Sequence, residues 1–530
     1  MNKPVVLVNF YSPKSLGIRY LEGALREAGF ETIVVYFKSF HSVRPQKPAK
    51  EEVDALVDLL ISKQPLFIGF SVMSSLYLEA VTAISQAVRG GMNTRGTNAT
   101  GDTAPREPAP PLVWGGIYAT LFPERCLPHC DYVLRGESED AIVELASRIR
   151  DGQSLTDMQN LAYASDPLSQ PLQMAAGYSQ LPATVNPVRP LITELDTLAM
   201  APLGTGEKYM IDGLLKPGDP AVSSYSYETS CSRGCPFVCA YCSTVSIKRV
   251  YKDENRHFLR FRSVDNVIEE LKAARKTMRG LSFIHFWDEI FSDDKGWVDE
   301  FAEKYRTEIG LPFDIWAHPL RTDMHLISAL RRAGLYQVVM GIQSGSPGVR
   351  KTAFHRVETQ EQILAAAQVF KDAKVPQVIY DLILRHKFES LDELKESYEL
   401  CAQLPGRFTL QMHSLIYLPG TDIAEEAIKR GFYTKEQLET LMYAPMEKQY
   451  ASWWEADEED PDVNFWYRLI YLTQFPSLKG AAARLAREKE AGSASANDKA
   501  AKYYALSRKM ARARHLWNRG WAVLKGKVHR

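Results

Sequence analysis

The 530-residue chain predicts an α/β protein with a doubly wound, Rossmann-like N-terminal domain, a partial (β/α)6 barrel after it and a helical C-terminal region. Three observations lead there. Short apolar runs alternate with helical periodicity from Val5 to Ile149, the pattern of a parallel sheet covered on both faces. A second series of strand–helix pairs runs from Ala221 to residue 435. Beyond that the sequence turns helical and heavily charged. The expected domains are residues 1–162, 221–435 and 436–530, with a polar, proline-containing linker at 163–220.

Val5–Phe10 is apolar except for Asn9 and reads as a buried parallel strand. In Leu16–Gly29, Ile18, Leu21, Leu25 and Ala28 fall on one helical face. Thr32–Phe37, Leu66–Val72, Leu112–Trp114 and Tyr132–Leu134 continue the strands. Val53–Ile61, Tyr77–Val88 and a segment ending at Ile149 supply helices, and Gly90–Pro111 is a polar surface insertion. Ligands on such sheets sit at the carboxyl ends of the strands. There the chain places Ser71, Met73 and Ser74 after the third strand, Gly115-Gly116 after the fourth and Gly136-Glu137 after the fifth. Paired glycines let a large ligand approach the backbone. The Gly-x-Gly-x-x-Gly of a dinucleotide site is absent.

Ala221–Thr229 is a strand that delivers the segment Cys235-Pro236-Phe237-Val238-Cys239-Ala240-Tyr241-Cys242. Three thiolates on one short loop converge on an iron–sulfur cluster, and three ligands leave one iron of a four-iron cluster open. A zinc site would need a fourth ligand at matching spacing, and none follows in the next stretch. Cys231, four residues before Cys235, is either a fourth ligand or a bystander. Cys126, Cys130 and Cys401 read as small buried hydrophobes. Further strands are expected at Leu281–Trp287, Asp314–Ala317, Tyr336–Ile342, Val378–Leu384 and Thr409–Tyr417.

The lead-in Thr229–Pro236, the cysteine triplet and Tyr241 resemble the radical S-adenosylmethionine (SAM) enzymes. Val113–Thr120 and Arg135–Glu139 resemble the cobalamin-binding domain that precedes the radical domain in a large subgroup. The Asp-x-His-x-x-Gly that supplies histidine to cobalt in many cobalamin proteins is absent. The resemblance implies a [4Fe-4S] cluster on Cys235, Cys239 and Cys242, SAM and cobalamin as cofactors, and Tyr241 near the adenine. It implies that Asp288 or Glu289 meets the SAM amino group and that Gln343-Ser344 faces its ribose and carboxylate. Gln343 stands where the family usually has an acid, and Arg321 or Arg262 would pair with the carboxylate. Ser71, Met73, Ser74, Gly115, Gly116, Gly136 and Glu137 would line the cobalamin side.

The function implied is methylation of an unactivated carbon by way of a 5′-deoxyadenosyl radical and methylcobalamin. An oxidative cyclase or ring-rearranging enzyme of the tetrapyrrole-cyclase kind is the alternative, and a non-catalytic cobalamin or iron–sulfur sensor a second. The partners implied are a small-molecule or peptide substrate and a flavodoxin- or ferredoxin-like electron donor.

Lys and Arg number 64, as do Asp and Glu, so the overall charge announces no nucleic-acid partner. No apolar run reaches transmembrane length, and the start lacks signal-peptide grammar, which points to the cytoplasm. Residues 479–530 carry fourteen Lys or Arg against three acids. Leu506, Met510, Ala513, Trp517, Trp521 and Leu524 recur there at helical spacing. Such a helix either packs with a solvated basic face or makes a peripheral membrane contact.

Overall fold

The first strand, Val5–Phe10, is buried along its whole length and has parallel neighbours on both sides, Thr32–Phe37 and Phe67–Ser71. A strand of Val, Leu and Phe belongs at the centre of a sheet because both of its faces are covered. Outward on one side follow Leu112–Gly115 and Tyr132–Leu134, also parallel. Helices Leu16–Glu27 and Glu139–Arg150 pack together over Val5, Leu7, Val34 and Tyr36, and Lys50–Lys63 packs with Leu78–Arg95 as a second pair.

The computed structural model describes residues 3–40, 45–95, 109–166, 172–173, 179–252, 258–454 and 460–528. The chain forms two compact units that interleave along the sequence. The first comprises Met1–Phe237, Tyr241–Leu281 and Tyr417–Tyr450; the second comprises Val238–Ala240, Ser282–Ile416 and Ala451–Arg530.

The stretch 163–220, expected as a linker, extends the sheet of the first unit at both edges. Glu207–Asp212 adds parallel to Thr32–Phe37, and Leu214–Pro217 folds back antiparallel on it. Ala183–Val185 closes the far edge, antiparallel to Leu161–Ala164. This stretch reads as a linker because it is polar and contains prolines, yet two of its charges are buried in pairs. Lys208 meets Glu22 at 2.5 Å and Asp219 meets Arg19 at 2.7 Å, all four side chains almost inaccessible. Burial pushes the Glu22 carboxyl up and the Lys208 ammonium down, and each partner only partly opposes this. The Lys208–Glu22 pair therefore fixes where the edge strand docks more than it stabilises the fold.

In the second unit five parallel strands lie side by side in chain order: Phe283–Phe286, Phe313–Ala317, Leu335–Gln343, Gln377–Ile383 and Thr409–His413. The sixth expected strand forms as Ser226–Thr229 and belongs to the first unit. Ile284, Phe313, Val338, Tyr380 and Leu410 are buried, while alternate positions carry His285, Asp314, Gln337, Asp381 and His413. Each strand thus has an apolar face and a polar one. On the polar face His285 pairs with Asp314 at 2.8 Å and His413 with Asp381 at 2.5 Å. Helices Pro461–Leu472, Pro476–Glu490 and Ala496–Val528 pack on one another after the sheet. Ala500 and Ser507 of the last helix are buried in that packing; Ala513, Trp517, Trp521 and Leu524 have side chains outside the described residues.

Lys208→Met leaves the Glu22 carboxylate buried without its cation, and we expect it to cost about 3 kcal/mol. Adding Glu22→Gln should recover most of that loss, because desolvation and attraction are removed together. Chemical denaturation of the two single variants and the double variant checks the cycle.

Candidate functional site

Gly234 turns the chain into the cysteine loop. Its φ is +93°, and a Cβ there would lie 2.1 Å from the Phe258 carbonyl oxygen, so only glycine fits. Cys242 ends the loop as the N-cap residue of helix Ser243–Val250, at the positive end of the helix dipole. All seven cysteines are thiols, and burial sorts them into two classes. Cys235, Cys239 and Cys242 are partly exposed; Cys126, Cys130, Cys231 and Cys401 are buried. Burial pushes the Cys126 and Cys130 thiols well up and the Cys401 thiol up to about 12, which keeps them unreactive. Cys231 is 0 % exposed, and its carbonyl accepts from the Arg262 N–H at 2.8 Å.

Among the described residues no three His, Cys, Asp or Glu side chains are gathered as a ready-made metal cage. The triplet fits an iron–sulfur cluster through its chemistry: three accessible soft donors on one glycine-hinged loop. Two ties hold the middle of that loop. The Ala240 N–H donates to the Phe354 carbonyl at 3.0 Å, and the Arg356 guanidinium lies 3.9 Å from Cys239 Sγ. Arg356 has no motif around it and was invisible in the sequence.

The ends of the loop are anchored within the first unit by Gly136, Glu137 and Glu139. Arg233, just before Gly234, pairs with Glu139 at 2.5 Å. Tyr251, at the end of the helix that Cys242 caps, accepts the Glu137 N–H at 2.6 Å. A Cβ on Gly136, whose φ is +71°, would collide with that same tyrosine hydroxyl. The Glu137 carboxylate takes a two-pronged contact from Arg260 at 2.7 and 2.9 Å and the Ile192 N–H at 3.0 Å. Burial would raise the Glu137 carboxyl; Arg260, Arg233 and the Ile192 N–H outweigh it and hold it below the usual range.

Ser71 and Gly115 end neighbouring strands in register. Met73 is 43 % exposed beside them, and Ser74 caps the following turn by accepting the Leu76 N–H at 3.2 Å. Gly116, at φ +97°, packs so closely on Val72 that a Cβ would come 2.8 Å from its carbonyl oxygen. Ser71, Met73, Ser74, Gly115 and Gly116 form an edge with one exposed apolar side chain and no charge, which fits a large macrocycle better than a phosphate.

In the second unit, Asp288 and Glu289 follow the strand Phe283–Phe286; Asp288 is buried and Glu289 exposed. Gln343 closes the strand Leu335–Gln343 after a register shift at Gly341 and adopts φ +67°. A left-handed glutamine at a bulge stores strain of the kind found at functional sites. The residue is 8 % exposed, and its amide oxygen is buried without a hydrogen-bond partner. Ser344 beside it is fully buried, its hydroxyl accepting the Ser346 N–H at 3.1 Å. Arg321 pairs with Asp293, and Arg262 with Glu270 at 2.5 Å, so both arginines already hold carboxylates. Tyr241, between Ala240 and Cys242, is half-buried.

A B12 binding domain family model matches residues 3–146, and a radical SAM superfamily model matches residues 229–401. The chain belongs to the B12-binding radical SAM enzymes. It is 22 % identical over 347 residues to the cytidylyl-2-hydroxyethylphosphonate methyltransferase of Streptomyces wedmorensis, covering 61 % of this chain and 62 % of that one. It is 25 % identical over 300 residues to the anaerobic magnesium-protoporphyrin IX monomethyl ester cyclase of Rubrivivax gelatinosus, covering 54 % and 48 %. The chain thus spans less than two thirds of the length of either relative. The fold is similar to that of the radical SAM methyltransferase TsrM from Kitasatospora setae, solved with cobalamin and a [4Fe-4S] cluster. That match has a TM-score of 0.59 at 15 % identity and covers 81 % of this chain and 78 % of that one. The cofactors of this B12-binding radical SAM enzyme are the [4Fe-4S] cluster, SAM and cobalamin. Among the described residues, no helix is long and apolar enough to cross a membrane.

Two variants test the anchoring of the loop. Gly234→Ala forces its new Cβ against the Phe258 carbonyl, and we expect at least a fivefold drop in iron retained after anaerobic reconstitution, with the fold intact by circular dichroism. Glu137→Gln should cost about 2 kcal/mol at neutral pH, since it weakens a charge-assisted pair. Because the native carboxyl titrates below its ordinary 4.5, its contribution is present above that pH and lost as pH falls. The stability gap between Glu137→Gln and the parent should therefore narrow in acid denaturation series taken below about pH 4.5.

Proposed function

We propose that this enzyme is a cobalamin-dependent radical SAM methyltransferase that methylates an unactivated carbon of a small-molecule or peptide substrate. The observation that carries the reading is the partly exposed triplet Cys235, Cys239 and Cys242 in a chain that also bears a B12-binding domain. Similarity to a phosphonate methyltransferase supports it. Bound together, the three cofactors supply a hydrogen-abstracting carbon radical and a transferable methyl group.

The residues of the chain divide the remaining work. Cys235, Cys239 and Cys242 hold the cluster without Cys231, a reading that the burial of Cys231 supports. Tyr241 offers an aromatic face to the SAM adenine. Asp288, and Glu289 beside it, accept from the SAM ammonium. The unpartnered amide oxygen of Gln343 accepts from an ammonium or a ribose hydroxyl, and Ser344 fixes the turn that aims it. Arg321, already paired with Asp293, positions that carboxylate rather than binding SAM directly. Ser71, Met73, Ser74, Gly115 and Gly116 receive the cobalamin, while Gly136 and Glu137 anchor the cysteine loop. The polar strand face with His285, Asp314, Asp381 and His413 is the wall that orients the substrate. A flavodoxin- or ferredoxin-like donor in the cytoplasm supplies the electron. The basic helix Ala496–Val528 packs on its two neighbours and leaves its exposed charges to solvent or to a membrane surface.

The similarity to magnesium-protoporphyrin cyclases favours a second reading, oxidative cyclisation with the same cofactors. The reconstituted enzyme, incubated with SAM, reductant and candidate substrates, separates the two by product mass. Methyl transfer adds one methylene unit and yields deoxyadenosine and S-adenosylhomocysteine together; cyclisation removes hydrogen or adds oxygen. Deoxyadenosine without a methylated product across phosphonate, peptide and tetrapyrrole substrates would overturn the proposal. Alanine at Cys235, Cys239 or Cys242 should abolish deoxyadenosine formation, and Cys231→Ala should retain at least half of it.

A further inference from the structure

One buried arginine in the second unit reaches a thiol of the triplet and a backbone carbonyl of the strand bulge at once. Arg356 is 6 % exposed and spends all three guanidinium nitrogens. Nε donates to Glu358 Oε1 at 2.5 Å, Nη2 to the Gly341 carbonyl at 2.8 Å, and Nη1 points to Cys239 Sγ at 3.9 Å. Gly341 begins the register shift that puts Gln343 into its left-handed conformation. The backbone beside Cys239 is held to the same segment, through Ala240 N–H and Phe354 O at 3.0 Å. Glu358, nearly inaccessible, is the counter-charge. His318 approaches its other oxygen at 3.8 Å, but burial, then Arg356 and Arg321, push the imidazole down to about 2, so it stays neutral.

We propose that Arg356 is a positioning residue that donates to the Cys239 thiolate and sets the reduction potential of the cluster, with Glu358 limiting its effect. The inference rests on the triplet holding that cluster. A fixed cation with an N–H aimed at a ligand sulfur stabilises the reduced, more negative cluster and raises its potential. A buried carboxylate on the far side of the same guanidinium opposes that field. Removing the cation should thus lower the potential, and removing the carboxylate should raise it. A strut that merely holds the loop in place predicts no such opposition of sign.

The test is a potentiometric titration of the anaerobically reconstituted full-length enzyme, followed by electron paramagnetic resonance, with iron content measured on the same samples. Arg356→Gln keeps a donor for the Gly341 carbonyl but no charge. It should shift the one-electron reduction equilibrium about tenfold toward the oxidised cluster, a fall of about 59 mV. Arg356→Lys, which retains the charge, should shift it by less. Glu358→Gln should move it the other way. An unchanged potential in Arg356→Gln, or the same direction in Arg356→Gln and Glu358→Gln, overturns the proposal. If Arg356→Gln fails to fold, the sign in Glu358→Gln decides: a lowered or unchanged potential there overturns it. A parent protein that reconstitutes with far fewer than about four irons per chain would instead sink the cluster assignment beneath it.

Discussion

The carboxylate of Glu137 holds the architecture around the cysteine loop together. Arg260 grips it from one side, Arg233 lies 3.6 Å away on the other, and the Ile192 N–H completes it. Its own backbone N–H leans on Tyr251. The segment that enters the loop and the helix that leaves it are thus both moored to the carboxyl end of the strand Tyr132–Leu134. The mooring is electrostatic and partly buried, so it has a defined geometry that an apolar contact of the same area would lack. It also demands glycine at position 136, because the tyrosine hydroxyl occupies the space of a side chain.

Elsewhere in the first unit the same device recurs. The Lys208–Glu22 and Arg19–Asp219 pairs dock the 163–220 stretch on the sheet, and Lys38 and Glu52 pair at 2.7 Å with both side chains buried. Pairs of this kind contribute little net stability, since desolvation consumes most of their attraction. They contribute register, because a misdocked edge strand leaves charges without partners. In the second unit register comes from alternation, with apolar residues packed on one side of each strand and a polar row on the other.

The parallel strands and the cysteine loop were legible in the sequence for a physical reason. A doubly covered strand must be continuously apolar, as Val5–Phe10 is, and a cluster loop must concentrate thiols. The edge strand Glu207–Asp212 was not legible, because Glu-Lys-Tyr-Met-Ile-Asp reads as solvent-facing until the partners of its lysine are known. Glu137 carried a signal whose meaning shifted: the Arg-Gly-Glu-x-Glu element reads as a ligand loop, and its first carboxylate is occupied by arginines. Arg262 and Arg321 show the same limit, since the sequence cannot tell an arginine awaiting a substrate carboxylate from one already holding a side-chain carboxylate. Arg356 had no signal at all, as its role depends on a loop 117 residues away. Gln343 was legible by position, while its left-handed backbone and orphaned amide oxygen emerge only from the strand bulge.

The division of the seven thiols into four sealed and three open has a consequence for how the protein ages. Oxidants and alkylating reagents reach thiols by exposure, and four of the seven are buried. The thiols within reach of such reagents therefore all lie on the glycine-hinged loop, and none lies in the packed interior. Labelling of the native protein by a thiol reagent therefore reads the state of that one loop, because the other four sulfurs are sealed from solvent.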